Sequence, residues 1–150
     1  MVTSIASFIL KFVSLGLVIA AGALWTSGDV DVRPKNRDEQ TLIGGAVWSQ
    51  THIAIGLLIS MVVDEGLYSF VHTYFLFTGF MILGVTGVML ITVECKKLKK
   101  SRSVITISSR HLEFVEVFDK IYFIIGTLTL LAAIVTFIDF ILNIIGVQNY

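Results

Sequence analysis

The sequence predicts an all-α integral membrane protein, a single antiparallel four-helix transmembrane bundle. Hydrophobic residues make up 55% of the 150 residues and charged residues only 15%, against roughly 25% charged in an ordinary soluble domain. The mean hydropathy is +0.88. Four apolar runs are each long enough to cross a bilayer, which takes about 20 helical residues at ~1.5 Å each.

The first run extends from Ile5 to Trp25 and is interrupted by Lys11. Its small-residue stretch Ala20-Ala21-Gly22-Ala23 has the character of a signal-peptidase site, but the apolar run is long for a signal core, so it is expected to remain as a span. The second run extends from Leu42 to Val63, the third from about Val71 to Val93, and the fourth from Ile121 to Val147. A barrel strand would need about ten residues of alternating polarity, and these runs are longer and do not alternate. All four belong to one domain, residues 1–150.

Three polar connections separate the runs. The first, Thr26 to Thr41, mixes both signs of charge. The second, Asp64 to about Phe70, is short and acidic, which predicts a tight hairpin. The third, Glu94 to Lys120, opens with the basic run Lys96, Lys97, Lys99, Lys100 and Arg102. Within it, Ser109 to Lys120 has the pattern of an amphipathic extension of the fourth helix. Val104 to Ile107 and Asp29 to Val32 read as extended segments that could pair as a small cap.

Ten of the eleven Lys and Arg residues lie in the first and third connections. The positive-inside rule places these in the cytoplasm and both termini outside. Cys95, beside the lysines, would then be open to palmitoylation, although a lone juxtamembrane Cys is also simply a small apolar residue.

In lipid, helices associate through close backbone approach and interhelical hydrogen bonds rather than apolar burial. Small and polar residues at helical spacing therefore mark contact faces. The second helix has Gly45, Ser49, His52, Gly56 and Ser60; the fourth has Tyr122, Gly126, Thr129, Ala133 and Thr136; the first has Gly16, Ala20 and Ala23. The third is rich in Thr78, Gly79, Gly84, Thr86 and Gly87. Each stripe either packs inside the bundle or receives another membrane protein. Lys11 and Asp139 fall at similar depth from the same surface, so an ion pair joining helices one and four is expected.

The balance of 11 basic and 11 acidic residues argues against nucleic acid as a partner. The single cysteine excludes an internal disulfide and a Cys-based zinc site. His52, His72 and His111 fall at different depths and are not expected to converge on a metal or haem. No phosphate-binding glycine loop, HExxH or dinucleotide fingerprint is present. The expectation is a protein that is not an enzyme, with no cofactor. No span contains proline, and no charged ring or filter motif is visible.

Several segments resemble a known pattern. They are Ser4 to Phe12, with Lys11 a few residues into helix one, and the close of that helix at Leu24-Trp25-Thr26-Ser27-Gly28-Asp29. A glycine-rich third helix, Ile107-Ser108-Ser109-Arg110, and Phe137-Ile138-Asp139-Phe140-Ile141-Leu142 complete the set. The chain resembles the Snakeskin-like family of small four-span proteins of arthropod smooth septate junctions, within the MARVEL-like layout. Helices one and four carry most of the likeness. The resemblance implies a non-enzymatic component of an epithelial cell–cell junction in the plasma membrane, working with a tetraspanin and Mesh. It also implies cytosolic termini, opposite to the charge rule, and the basic run at Lys96 to Arg102 is the point of departure. Alternatives are a MARVEL-like trafficking protein, an oligomeric channel, or an accessory subunit of a membrane complex; homo-oligomerisation stays open.

Overall fold

The computed structural model describes residues Val2–Ser27, Arg37–Val62, Ser69–Val104 and Lys120–Gln148. These are four helices: α1 (Val2–Ser27), α2 (Arg37–Val62), α3 (Ser69–Val104) and α4 (Lys120–Gln148). Each contains a stretch long and apolar enough to cross a membrane: Ile5–Ser27, Gln40–Val62, Phe70–Lys99 and Lys120–Ile145. The chain is an all-α four-helix bundle of the multi-pass membrane type. Large apolar side chains such as Phe12, Ile19, Trp48, Ile59, Phe70, Val85 and Ile134 point outward, as they must where the surrounding solvent is lipid.

Neighbours in sequence are neighbours in space, and α4 closes the ring against α1. The tightest seam joins α3 and α4. A Cβ on Gly87 would lie 2.9 Å from the backbone nitrogen of Leu130 and 3.0 Å from the carbonyl oxygen of Gly126. A Cβ on Gly126 would meet Leu90 Cβ at 2.9 Å. Only two glycines facing each other let these backbones come so close. Further along the seam, the Phe80 and Phe137 rings lie 4.8 Å apart and those of Phe77 and Phe140 5.8 Å apart. On the other side of the ring, Gly22 accepts Val47 of α2, and Gly44 accepts the Trp25 indole.

The interior is layered. Toward the end of α1 and the start of α4, Ala21, Trp25, Ile43, Leu90, Tyr122 and Ile125 form an apolar cluster. Trp25 meets Tyr122 edge to face at 5.6 Å. The middle layer is Val18, Val47, Leu83, Ala132 and Ala133. Beyond it, toward the start of α1 and the end of α4, the interior becomes polar.

One expectation is corrected. The basic run is not in a loop. α3 is 36 residues long and continues through Val104, so Lys96, Lys97, Lys99, Lys100 and Arg102 lie on its helical extension. The onset of charge does not mark where the helix ends. No glycine or proline falls between Gly87 and Val104, and Lys97 bonds back one turn to Glu94 at 2.7 Å. Of the two uses open to the small-residue stripes, internal packing does not apply to those of α1 and α2, which lie outside the bundle interior. Gly16, Ala20 and Ala23, like Gly45, Ser49, His52 and Gly56, are exposed, and Ser60 is half-buried. The proposed cap segment Asp29 to Val32, residues Ile105 to Ile107 of its partner, and the amphipathic segment from Ser109 up to Lys120 lie outside the described residues.

Candidate functional site

The polar layer is built from side chains that every helix turns inward. On α1, Lys11, Ser14, Val18, Ala21 and Trp25 are buried, at the three- and four-residue spacings that keep one helical face. Ser7 is one turn before Lys11 on that face. On α4, Tyr122, Gly126, Thr129, Ala133, Thr136 and Asp139 are buried. The α4 stripe therefore does pack internally, and Asp139 extends it by one step.

The two antiparallel faces bring Lys11 and Asp139 together. Lys11 Nζ donates to Asp139 Oδ2 at 2.6 Å, with the residues 3% and 1% exposed. Ser7 Oγ, half-buried, accepts from Lys11 Nζ at 2.5 Å and donates to Asp139 Oδ1. Both carboxylate oxygens and two ammonium protons are thus engaged. One turn deeper, Ser14 Oγ and Thr136 Oγ1 are 2.9 Å apart. Thr136 spends its only proton on the Ala132 carbonyl at 2.8 Å, so Ser14 is the donor between them.

The other two helices contribute without closing the network. Gln50 of α2 is 5% exposed, and its side chain reaches α3, where a Cβ on Gly79 would lie 2.7 Å from Gln50 Oε1. Gly79 is the recess that admits this amide. Gln50 Nε2 is buried with no hydrogen-bond partner. His72 of α3 is half-buried, within electrostatic reach of both Lys11 and Asp139, and its Nε2 is likewise buried and unpartnered. Nearby on the α3–α4 seam, Thr73 Oγ1 donates to Asn143 Oδ1 at 3.0 Å. The arrangement can hold a buried charge pair and fix which helices adjoin.

The α2 stripe is a separate feature. Ile43, Ala46, Val47, Gln50, Thr51 and Leu57 form the bundle-facing side of α2, and the stripe lies on the side turned away from them. Nothing lies within 4 Å of a Cβ on Gly45 or Gly56. Its polar members are satisfied locally: Ser49 Oγ donates to the Ala46 carbonyl at 3.1 Å, and His52 Nδ1 lies 2.8 Å from the Trp48 carbonyl oxygen. The stripe is a smooth outward groove and asks nothing of the bundle. His52 and His72 thus sit on different helices and different faces, and His111 lies outside the described residues. On the α3 extension, Cys95, Lys96 and Lys99 are exposed, Lys97 is half-buried against Glu94, and Lys100 and Arg102 share the helix.

The sequence pattern pointed to Lys11 and Asp139 through their charge and depth. It missed Ser7, Gln50 and His72. Ser7 carried the signal of lying four residues before Lys11. Gln50 is a strongly polar residue in mid-span, off the small-residue stripe. His72 is close to the same membrane surface as Lys11, although it stands near a loop. Comparison of the chain with protein-family models, with curated proteins and with solved structures gave no match. The class that the fold and site define is a four-span membrane protein with a buried ion pair.

Proposed function

We propose that this chain is a non-enzymatic, membrane-organising component of an epithelial cell–cell junction of the smooth septate type, and that it assembles laterally with other membrane proteins. The observation that carries the lateral assembly is the outward groove of α2. Gly45, Ser49, His52 and Gly56 are exposed, and a neighbouring transmembrane helix could approach the backbone there as closely as α4 approaches α3 at Gly126 and Gly87. The junctional setting rests on the resemblance of helices one and four to the Snakeskin-like proteins. On that reading the partners are a tetraspanin and Mesh.

The test is proximity labelling and co-purification from polarised epithelial cells, combined with imaging. Capture of a tetraspanin and a large single-span junction protein, at lateral cell contacts, is the expected result. Residence in vesicle membranes would replace the junction with MARVEL-like trafficking. Conductance of the reconstituted protein would replace it with a channel.

A further inference from the structure

The polar layer contains a cavity of about 30 Å³, lined by Lys11, Ser14, Gln50, Thr136 and Asp139 together with apolar side chains including Val18 and Leu57. We infer that this cavity is an internal hydration site, holding about two water molecules that tie Gln50 of α2 to the Lys11–Asp139 pair of α1 and α4.

The volume fits the assignment, since one water needs about 10–15 Å³ of such space. The chemistry fits as well. Gln50 lines the cavity, is 5% exposed, and its Nε2 has no protein partner. An amide N–H in that setting needs an acceptor. A water oxygen supplies one, and its own protons then need oxygens. These are at hand: an ionised carboxylate offers about four lone-pair sites, and Asp139 has one hydrogen bond on each oxygen. Ser14 and Thr136 hydroxyl oxygens stand beside it. The Lys11 ammonium has three protons and directs two of them to Ser7 and Asp139. A water therefore finds the two to four polar contacts that an internal site requires.

The charge of the site selects water over an ion. Lys11 and Asp139 cancel, so a sodium or chloride ion entering would bring an uncompensated charge into a low-dielectric layer. The two remaining helices supply no compensating charge to the cavity wall: α2 contributes Gln50, with Ile53, Ala54 and Leu57, and α3 contributes Phe75, Leu76 and Leu83. His72, on α3, reaches the pair electrostatically but does not line the cavity.

Water-edited solid-state NMR on the isotopically labelled full-length protein in phosphatidylcholine bilayers tests this with water itself as the probe. Magnetisation is expected to pass from water to the Gln50 side-chain amide and to Lys11 Nζ, while Val47 and Ala132, which belong to the adjoining apolar layer and do not line the cavity, stay dark. Ala54→Val, which adds bulk to the cavity wall, is expected to abolish transfer to the Gln50 amide while leaving the Lys11 and Asp139 side-chain shifts of the ion pair in place. A Gln50 amide as dark as Val47 in the unmodified protein overturns the site. So does a Gln50 or Lys11 shift that changes when sodium chloride is exchanged for an impermeant salt, because an ion would then be the occupant.

Discussion

Lys11 on α1 and Asp139 on α4 are 128 residues apart in sequence and 2.6 Å apart in space. The pair joins the first and last helices, which no short connection holds together. A lone charge at mid-membrane costs roughly 2.5–3.5 kcal/mol on insertion scales. Partnership removes much of that cost and sets the register of α1 on α4. The same register places Ser14 opposite Thr136 and Trp25 opposite Tyr122.

Breaking this pair from one side strands a buried charge, which costs about 3–5 kcal/mol. Lys11→Met and Asp139→Leu are each expected to destabilise the bundle by that order. The double variant should recover much of the loss, because it leaves neither charge behind. Denaturant unfolding in mixed micelles measures all four corners of the cycle. Strictly additive losses would show that the contact contributes nothing beyond its parts.

Ser14→Ala provides a scale for comparison. It removes a neutral hydroxyl pair, and such interhelical bonds average about 0.6 kcal/mol in membrane proteins. The same unfolding assay is expected to show a loss several times smaller than that of Lys11→Met. Equal losses would mean that packing at this level matters more than charge.

The glycine seam should be intolerant of a single methyl. Gly126→Ala places a carbon 2.9 Å from Leu90 Cβ and 3.0 Å from Ile91 Cγ1, so α3 and α4 must part. Overpacking of this kind costs about 1–3 kcal/mol. Gly45→Ala, with open space around its Cβ, is the matched change and is expected not to lower the unfolding midpoint, since alanine is the better helix former.

Gly56→Leu should separate folding from assembly. No atom lies within 4 Å of a Cβ at Gly56, so the monomer is expected to unfold as the parent does. Capture of partner membrane proteins should fall, whereas Ile55→Leu, also exposed but off the stripe, should keep it. Undiminished capture by Gly56→Leu would remove the α2 groove from the assembly surface.

The basic extension of α3 reports orientation. If it faces the cytoplasm, Lys96, Lys97, Lys99 and Lys100 attract anionic lipid at about 1 kcal/mol each. Changing all four to Gln is then expected to weaken or scramble insertion, as read by the accessibility of terminal tags. Modification of these lysines by an impermeant amine reagent on intact cells would place them outside, the side that the septate-junction resemblance implies.

The architecture was legible because a span needs only length and apolarity, and all four runs have both. The ion pair was legible because two charges at matching depth are costly apart. The direction of the α1 and α2 stripes was not legible. In a soluble helix the apolar side faces inward, but lipid accepts apolar side chains on the outer face too, so polarity alone gives no sign. Ser49 and His52 deepen the ambiguity by bonding to carbonyls of their own helix, which lets them face hydrocarbon without a partner. The α4 stripe packs internally because Gly126 meets a matching glycine, Gly87, on a neighbouring helix, a match that only the fold brings together. Gln50 and Gly79 were opaque for a related reason: the space that admits one exists only because the other lacks a side chain.

Continuing α3 through Val104 gives the molecule a stiff post. The eleven residues from Glu94 to Val104 rise about 16 Å at 1.5 Å each, clamped at their base by the Glu94–Lys97 bridge. A flexible tether would let the following segment wander over the headgroups. A helical post instead holds the far end of α3 at a set distance from Glu94 and with a set bearing relative to the α3–α4 seam.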